Sequence, residues 1–144
     1  MFMELALEQA RLAAQDGEVP VGAVIVRNGK VIAVGRNRRE SAKNALAHAE
    51  AEAISAACKA LGGWRLPGCE LFVTLEPCPM CAGAIVLARL DAVVWGVSDP
   101  KRGGGTTFGI FDHPGINHHP AIVTGVCEAE SKAILQEFFR AKRI

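Results

Sequence analysis

The chain has 144 residues, 50% of them hydrophobic, and its 16 Lys and Arg nearly balance 15 Asp and Glu for a net charge of +1. That length fits one domain over residues 1–144, and the apolar fraction lets it bury a core without disulfide staples. So small a charge does not advertise nucleic-acid binding by itself, and the longest apolar run, Ala82 to Ala88, is far too short to cross a bilayer.

The first residues carry Glu4 and Glu8 and lack a basic start followed by an apolar run, so they do not read as a signal peptide. A cytoplasmic location without a membrane anchor is expected. In that reducing compartment five cysteines point to metal or redox chemistry rather than bridges.

Met3 to Gln15 is patterned as an amphipathic helix stopped by Asp16-Gly17. Val21 to Arg27 and Lys30 to Arg36 are β-rich runs around Asn28-Gly29, a strong hairpin signal. Ala45 to Leu61 reads as an Ala-rich helix ended by Gly62-Gly63. Glu70 to Leu75 reads as a buried strand, followed by a Pro-flanked helix from about Cys78 to Ala88 and a strand from Ala92 to Val97. Ser98 to Pro120 is a loop of a length that is usually functional or disordered. Ala121 to Val126 then reads as a strand and Glu128 to Arg143 as an amphipathic helix.

This order predicts an α/β fold, one five-stranded mixed sheet with helices on both faces. The first two strands pair as a hairpin. Later strands, joined by helical crossovers, should run parallel.

The chemistry concentrates in two short segments. Pro77-Cys78-Pro79-Met80-Cys81 places two cysteines three apart at the mouth of a helix, where their sulfurs can converge on one ion and thiolate is favoured. Two thiolates make half a tetrahedral site, and His48, in Ala47-His48-Ala49-Glu50, is the best candidate for a third ligand. Positions i and i+2 lie about 200° apart on a regular helix, so His48 must sit at an irregular first turn if it and Glu50 are to flank one ion. Three protein ligands leave a position open for water, the mark of a catalytic rather than structural zinc site. Glu50 then has a proton-transfer role, and hydrolytic loss of an amine is the reaction such a site performs. HxE upstream of PCxxC is the known signature of zinc-dependent nucleobase deaminases.

Competing readings are a redox CxxC, which needs no HAE, and a structural zinc site, for which His113, His118 or His119 would supply a fourth ligand. Cys58, Cys69 and Cys127 read as small core residues, Met80 as packing, and Trp64 and Trp95 as core or interface residues. Arg36, Arg38, Arg39 and Lys43 read as solvated charges unless a fold gathers them around a pocket.

Beyond these motifs the chain resembles the bacterial tRNA-specific adenosine deaminases (the TadA type). The likeness runs through Glu18-Val19-Pro20-Val21-Gly22-Ala23-Val24, Asn37-Arg38, His48-Ala49-Glu50 and Val73-Thr74-Leu75-Glu76-Pro77-Cys78 with Met80-Cys81-Ala82-Gly83-Ala84. It continues in Asp99-Pro100-Lys101, His113-Pro114-Gly115-Ile116-Asn117-His118 and Phe138-Phe139-Arg140. The chain departs from the family pattern at Arg36 and at Asn44-Ala45-Leu46.

The resemblance implies a three-layer α/β/α cytidine-deaminase-like fold, one Zn²⁺ per subunit on His48, Cys78 and Cys81, and Glu50 as the catalytic residue. It implies a homodimer that converts the wobble adenosine of a tRNA anticodon stem-loop to inosine. Asn37 would hydrogen-bond the target nucleotide, and the backbone near Val21, Gly22 and Ala49 would line the base pocket. Asp99 would contact the nucleotide backbone, and Lys101, Phe138, Phe139 and Arg140 would hold flanking nucleotides. Of the two phenylalanines, one is expected to be buried. Two alternatives keep the metal centre: deamination of a free base or nucleotide, since guanine deaminases share Glu76 to Cys81, and a non-catalytic zinc-stabilised subunit.

Overall fold

In the computed structural model, which describes residues 1–142, five strands line up in the order β2-β1-β3-β4-β5. Arg143, expected at the end of the last helix, lies outside the described residues. The strands are β1 (Gly22–Arg27), β2 (Lys30–Arg36), β3 (Cys69–Leu75), β4 (Ala92–Val97) and β5 (Ala121–Val123). The hairpin forms as expected, with Arg27 opposite Lys30 and Asn28 and Gly29 both at positive φ (52° and 75°). β1 also pairs antiparallel with β3, while β3·β4 and β4·β5 are parallel, so the sheet is mixed.

Alternation along the strands divides the core into two layers. Leu71 and Val73 of β3 and Val93 and Trp95 of β4 face α3 (Ala49–Leu61) and α4 (Pro79–Ala88) in the larger core. The intervening Phe72 and Val94 face α1 (Phe2–Gln15), where Met3 and Ala6 are buried with them. α5 (Glu128–Lys142) shares that second face with α1. Helices therefore cover both faces, as the element order requires.

Apart from shifts of one residue at element ends, the main differences from the expected elements lie around α3 and β5. The helix expected from Ala45 begins at Ala49, because the Asn44 side chain accepts the Leu46 N–H at 2.9 Å and its carbonyl takes the Ala47 N–H at 3.1 Å. That Asn turn overrides the helix propensity of the alanines. A short helix, α2 (Arg39–Ala42), precedes it and ends on Lys43 at φ +50°. β5 stops at Val123 rather than Val126, since Gly125 takes φ +81° and turns the chain out of the sheet.

One close approach sets up the site. A Cβ on Gly35 would lie 2.2 Å from the Ala49 carbonyl oxygen and 2.7 Å from the Ala53 nitrogen. Glycine there lets the first turns of α3 rest directly on β2, which fixes the helix start that carries His48 and Glu50.

Candidate active site

Two helix starts meet beyond the end of β3. His48 is the N-cap of α3, with extended backbone (φ −80°, ψ 155°), so its imidazole leaves the helical screw and Glu50 follows on the first turn. Cys78 is likewise the extended N-cap of α4 (φ −70°, ψ 172°), Pro79 occupies the first helical position, and Cys81 lies one turn in. The irregular turn that the His48–Glu50 spacing demands is thus supplied by a capping position.

The donors converge. His48 Nδ1 lies 3.5 Å from Cys78 Sγ and 3.6 Å from Cys81 Sγ, and the three atoms all fall within 4.8 Å of one another. A tetrahedral zinc with usual bond lengths has nitrogen–sulfur edges of about 3.6 Å, so the spacing and the soft donor set both fit that ion. Among the described residues this is the one cluster of three or more His, Cys, Asp or Glu so arranged. The alternative fourth ligands are engaged elsewhere: His118 Nε2 is 2.6 Å from the Leu90 carbonyl and His119 Nδ1 is 2.9 Å from that of Phe111. His113 Nδ1 accepts the Gly115 N–H at 2.8 Å.

The electrostatics match a site poised for a cation. A hydrogen bond from the Cys81 thiol, helped by His48, pulls Cys78 down to about 4. The same bond, together with burial, holds Cys81 above its ordinary value. His48 is raised by its hydrogen bond to Cys78. Glu50 is 4% exposed, and burial pushes its carboxyl up to about 7. A carboxyl in that range can both take and give a proton near neutrality.

A cavity of about 470 Å³ opens over this cluster, the size of a small-ligand site. His48, Glu50 and Cys78 line its floor, with Val21, Ala49 and Asn37 on one wall. Asn37 is held from both sides: its Nδ2 donates to the Val19 carbonyl at 3.1 Å and its Oδ1 accepts the Arg39 N–H at 3.3 Å. Asp99 and Phe139 of α5 line the cavity as well. Phe139 also lines a second groove with Arg140.

Other expected residues fall outside the cavity. Gly22 packs behind the wall, where a Cβ would lie 2.0 Å from the Ala6 carbonyl oxygen, and its N–H donates to Thr74 Oγ1 at 3.2 Å. Lys101 is exposed on the surface loop. Neither phenylalanine is buried: Phe139 is 44% exposed and Phe138 is half-buried beneath Lys142. Met80, expected as packing, is partly exposed; of the two tryptophans expected in the core or at an interface, Trp95 is core and Trp64 is exposed.

Several lining residues escaped the sequence reading. Arg36 and Arg38 are occupied by Asp16 (3.4 Å) and Glu52 (3.0 Å), but Arg39 lines the cavity, and so does Arg102 rather than its neighbour Lys101. Leu135 joins Phe139 one turn apart on α5. Glu76, directly before the PCxxC segment, is 3% exposed and also lines the wall. The sequence marked it as part of the shared Glu76-Pro77-Cys78 stretch but gave it no role.

A family model of MafB19-like deaminases matches residues 1–143. The chain is 49% identical to the tRNA-specific adenosine deaminase of Bacillus subtilis over 144 residues, covering 99% of this chain and 89% of that protein. It superposes on a solved structure from work on A-to-I editing by tRNA:A34 deaminases at the wobble position with a TM-score of 0.91. That match has 48% identity and covers 93% of this chain and 98% of the other. A guanine deaminase from Nitrosomonas europaea is more distant, at 26% identity and a TM-score of 0.81 over 95% of this chain and 82% of that one.

Proposed function

The chain belongs to the deaminase family of the tRNA-specific adenosine deaminases, and on that premise we propose that it converts the wobble adenosine, A34 of a tRNA anticodon loop, to inosine. The observation that carries this reading is the convergence of His48, Cys78 and Cys81 on one point beside a buried carboxyl, Glu50, that stands outside their donor set. These three residues would hold one Zn²⁺ per subunit. When bound, the ion supplies Lewis-acid chemistry that makes water a nucleophile at neutral pH.

The remaining work falls to the chain's own side chains. Adenosine and water become inosine and ammonia: a bond forms from water oxygen to the ring carbon and the bond to the exocyclic nitrogen breaks. One of the water's protons ends on the ring nitrogen and the other on the departing amine. Glu50 Oε atoms, buried at the cavity floor, would take each proton and hand it on. Asn37, pinned by Val19 and Arg39, keeps one amide hydrogen and one lone pair for the target nucleotide. Val21 and Ala49 would wall the flipped base, with Gly22 supporting that wall by letting α1 approach.

Around the mouth, Asp99 would meet the backbone of the target nucleotide. Arg39 and Arg102 supply positive charge for its phosphates, and exposed Phe139 a stacking surface for a neighbouring base. Lys101, Phe138 and Arg140 would hold nucleotides farther out. The enzyme would work as a homodimer in the cytoplasm, with α4, which exposes Met80 and Leu87, a candidate for the subunit contact. No helix among the described residues is long and apolar enough to cross a membrane.

Ammonia release from an anticodon stem-loop, assayed beside free guanine, cytosine and adenosine, tests the reading. Turnover of the stem-loop alone is expected. Turnover of a free base with the stem-loop untouched would retain the metal centre and overturn the substrate.

A further inference from the structure

The segment from Ser98 to Pro120 is long enough to be mobile, yet its first part is tied to one buried side chain. Glu76 Oε1 accepts the Asp99 N–H at 2.8 Å and the Thr106 hydroxyl at 2.8 Å. Its Oε2 accepts the N–H groups of Gly105 at 3.0 Å and Thr106 at 2.6 Å. Four donors and no acceptor converge on the two oxygens, an arrangement that suits an acceptor-only carboxylate and no other side chain of that size. The backbone of Glu76 is anchored in turn, its N–H donating to the Val97 carbonyl at 2.9 Å.

The triglycine follows from this contact. A Cβ on Gly103 would lie 2.5 Å from Glu76 Cδ, and one on Gly104 would lie 2.6 Å from Ala82 Cβ. Gly104 also donates its N–H to the Pro77 carbonyl at 2.7 Å. The loop therefore rests with bare backbone on Glu76 and on the start of α4. Asp99 Oδ1 then accepts the N–H groups of Lys101 (3.0 Å) and Arg102 (3.1 Å), which turns Arg102 over the cavity.

We propose that Glu76 is a positioning residue that staples residues 99–106 against the active site, holding Asp99 and Arg102 in place as a preformed clamp on the substrate's sugar-phosphate backbone. This rests on the RNA substrate proposed above. Glu76 lines the cavity wall, but both of its oxygens are engaged by the loop. It acts through the loop, by removing most of the ordering cost that binding would otherwise meet.

Glu76→Gln provides the test, because an amide NH₂ must face at least one of the three backbone N–H groups and break that bond. The expected result is a KM for the stem-loop raised about tenfold with kcat changed less than about threefold, the pattern of lost binding rather than lost chemistry. Bound zinc stays stoichiometric, and amide hydrogen exchange accelerates at residues 99–106 while the sheet is unchanged. An unchanged KM despite faster exchange would overturn the clamp, and so would a fall in kcat alone.

Should Glu76→Gln fail to fold, Thr106→Val decides, since it removes only the hydroxyl bond. A KM raised about threefold supports the proposal and an unchanged one overturns it. Failure of the functional reading is distinguishable: the parent protein itself would then leave the stem-loop unchanged. Unaccelerated exchange at 99–106 in Glu76→Gln, beside an active parent, would remove this proposal alone.

Discussion

Replacing Glu18 with Gln should destabilise the protein at neutral pH and much less in acid. Glu18 is 2% exposed, and its two carboxylate oxygens accept the N–H groups of Glu40 at 3.1 Å and Ser41 at 2.7 Å. Burial pushes its carboxyl up, but those hydrogen bonds and the charge of Arg39 outweigh it, so the folded pKa lies below the ordinary value. A depressed folded pKa contributes stability above the unfolded pKa, and that contribution is lost as pH falls through the folded one.

Gln keeps one acceptor oxygen and turns an NH₂ against the other N–H, so one charge-assisted bond is lost and one buried donor orphaned. The cost is about 2 kcal/mol at pH near 7. Urea unfolding of parent and variant, side by side near pH 7 and near pH 3, measures it, since anything else that acid changes is common to both. The gap should narrow as pH falls through the depressed folded pKa and the parent carboxyl takes up its proton. An equal gap at both pH values, or none at pH 7, would refute the reasoning.

Three further outcomes follow from the site and its supports. Glu50→Gln should keep its fold and its zinc but lose about 10²- to 10⁴-fold in kcat for the stem-loop; near-parental turnover would contradict its proton-transfer role. Cys81→Ala should lose the metal itself, measured as zinc per chain after gel filtration, and unchanged content would mean that the ligands are wrong. Gly35→Ala, which drives a methyl into the Ala49 carbonyl, should cost about 1–3 kcal/mol in denaturant unfolding and loosen zinc as the start of α3 shifts.

Much of this was legible in the sequence because the relevant signals are local. Asn28-Gly29 between apolar runs specified the hairpin, and the order of strands and helices specified a mixed sheet covered on both faces. The convergence of His48, Cys78 and Cys81 was legible because HAE and PCxxC each occupy a helix start, where one or two residues fix the geometry. What stayed hidden depends on long-range contacts. Asn44 defeats three helix-favouring residues, Ala45, Leu46 and Ala47, through a turn that propensity does not register. Arg39 and Arg102 belong to different elements, and only the fold shows that they share a cavity while Arg36 and Arg38 are consumed by ion pairs. Glu76 reads as an ordinary residue before a proline, yet its partners lie 23 to 30 positions away, in the loop whose order it maintains.

Gly22 illustrates a different limit. Its place in the EVPVGAV segment was clear, but a glycine can line a ligand or admit a helix, and only its distance to Ala6 tells the two apart.

The central claim is that this cavity deaminates an adenosine at the wobble position. The direct measurement is the position of inosine in an anticodon stem-loop carrying adenosines both at the wobble site and elsewhere in the loop, read by sequencing after incubation with the zinc-loaded enzyme. Inosine at the wobble position alone, abolished in Glu50→Gln, is the result predicted. Inosine spread over all loop adenosines, or none with the ion bound, would contradict the account.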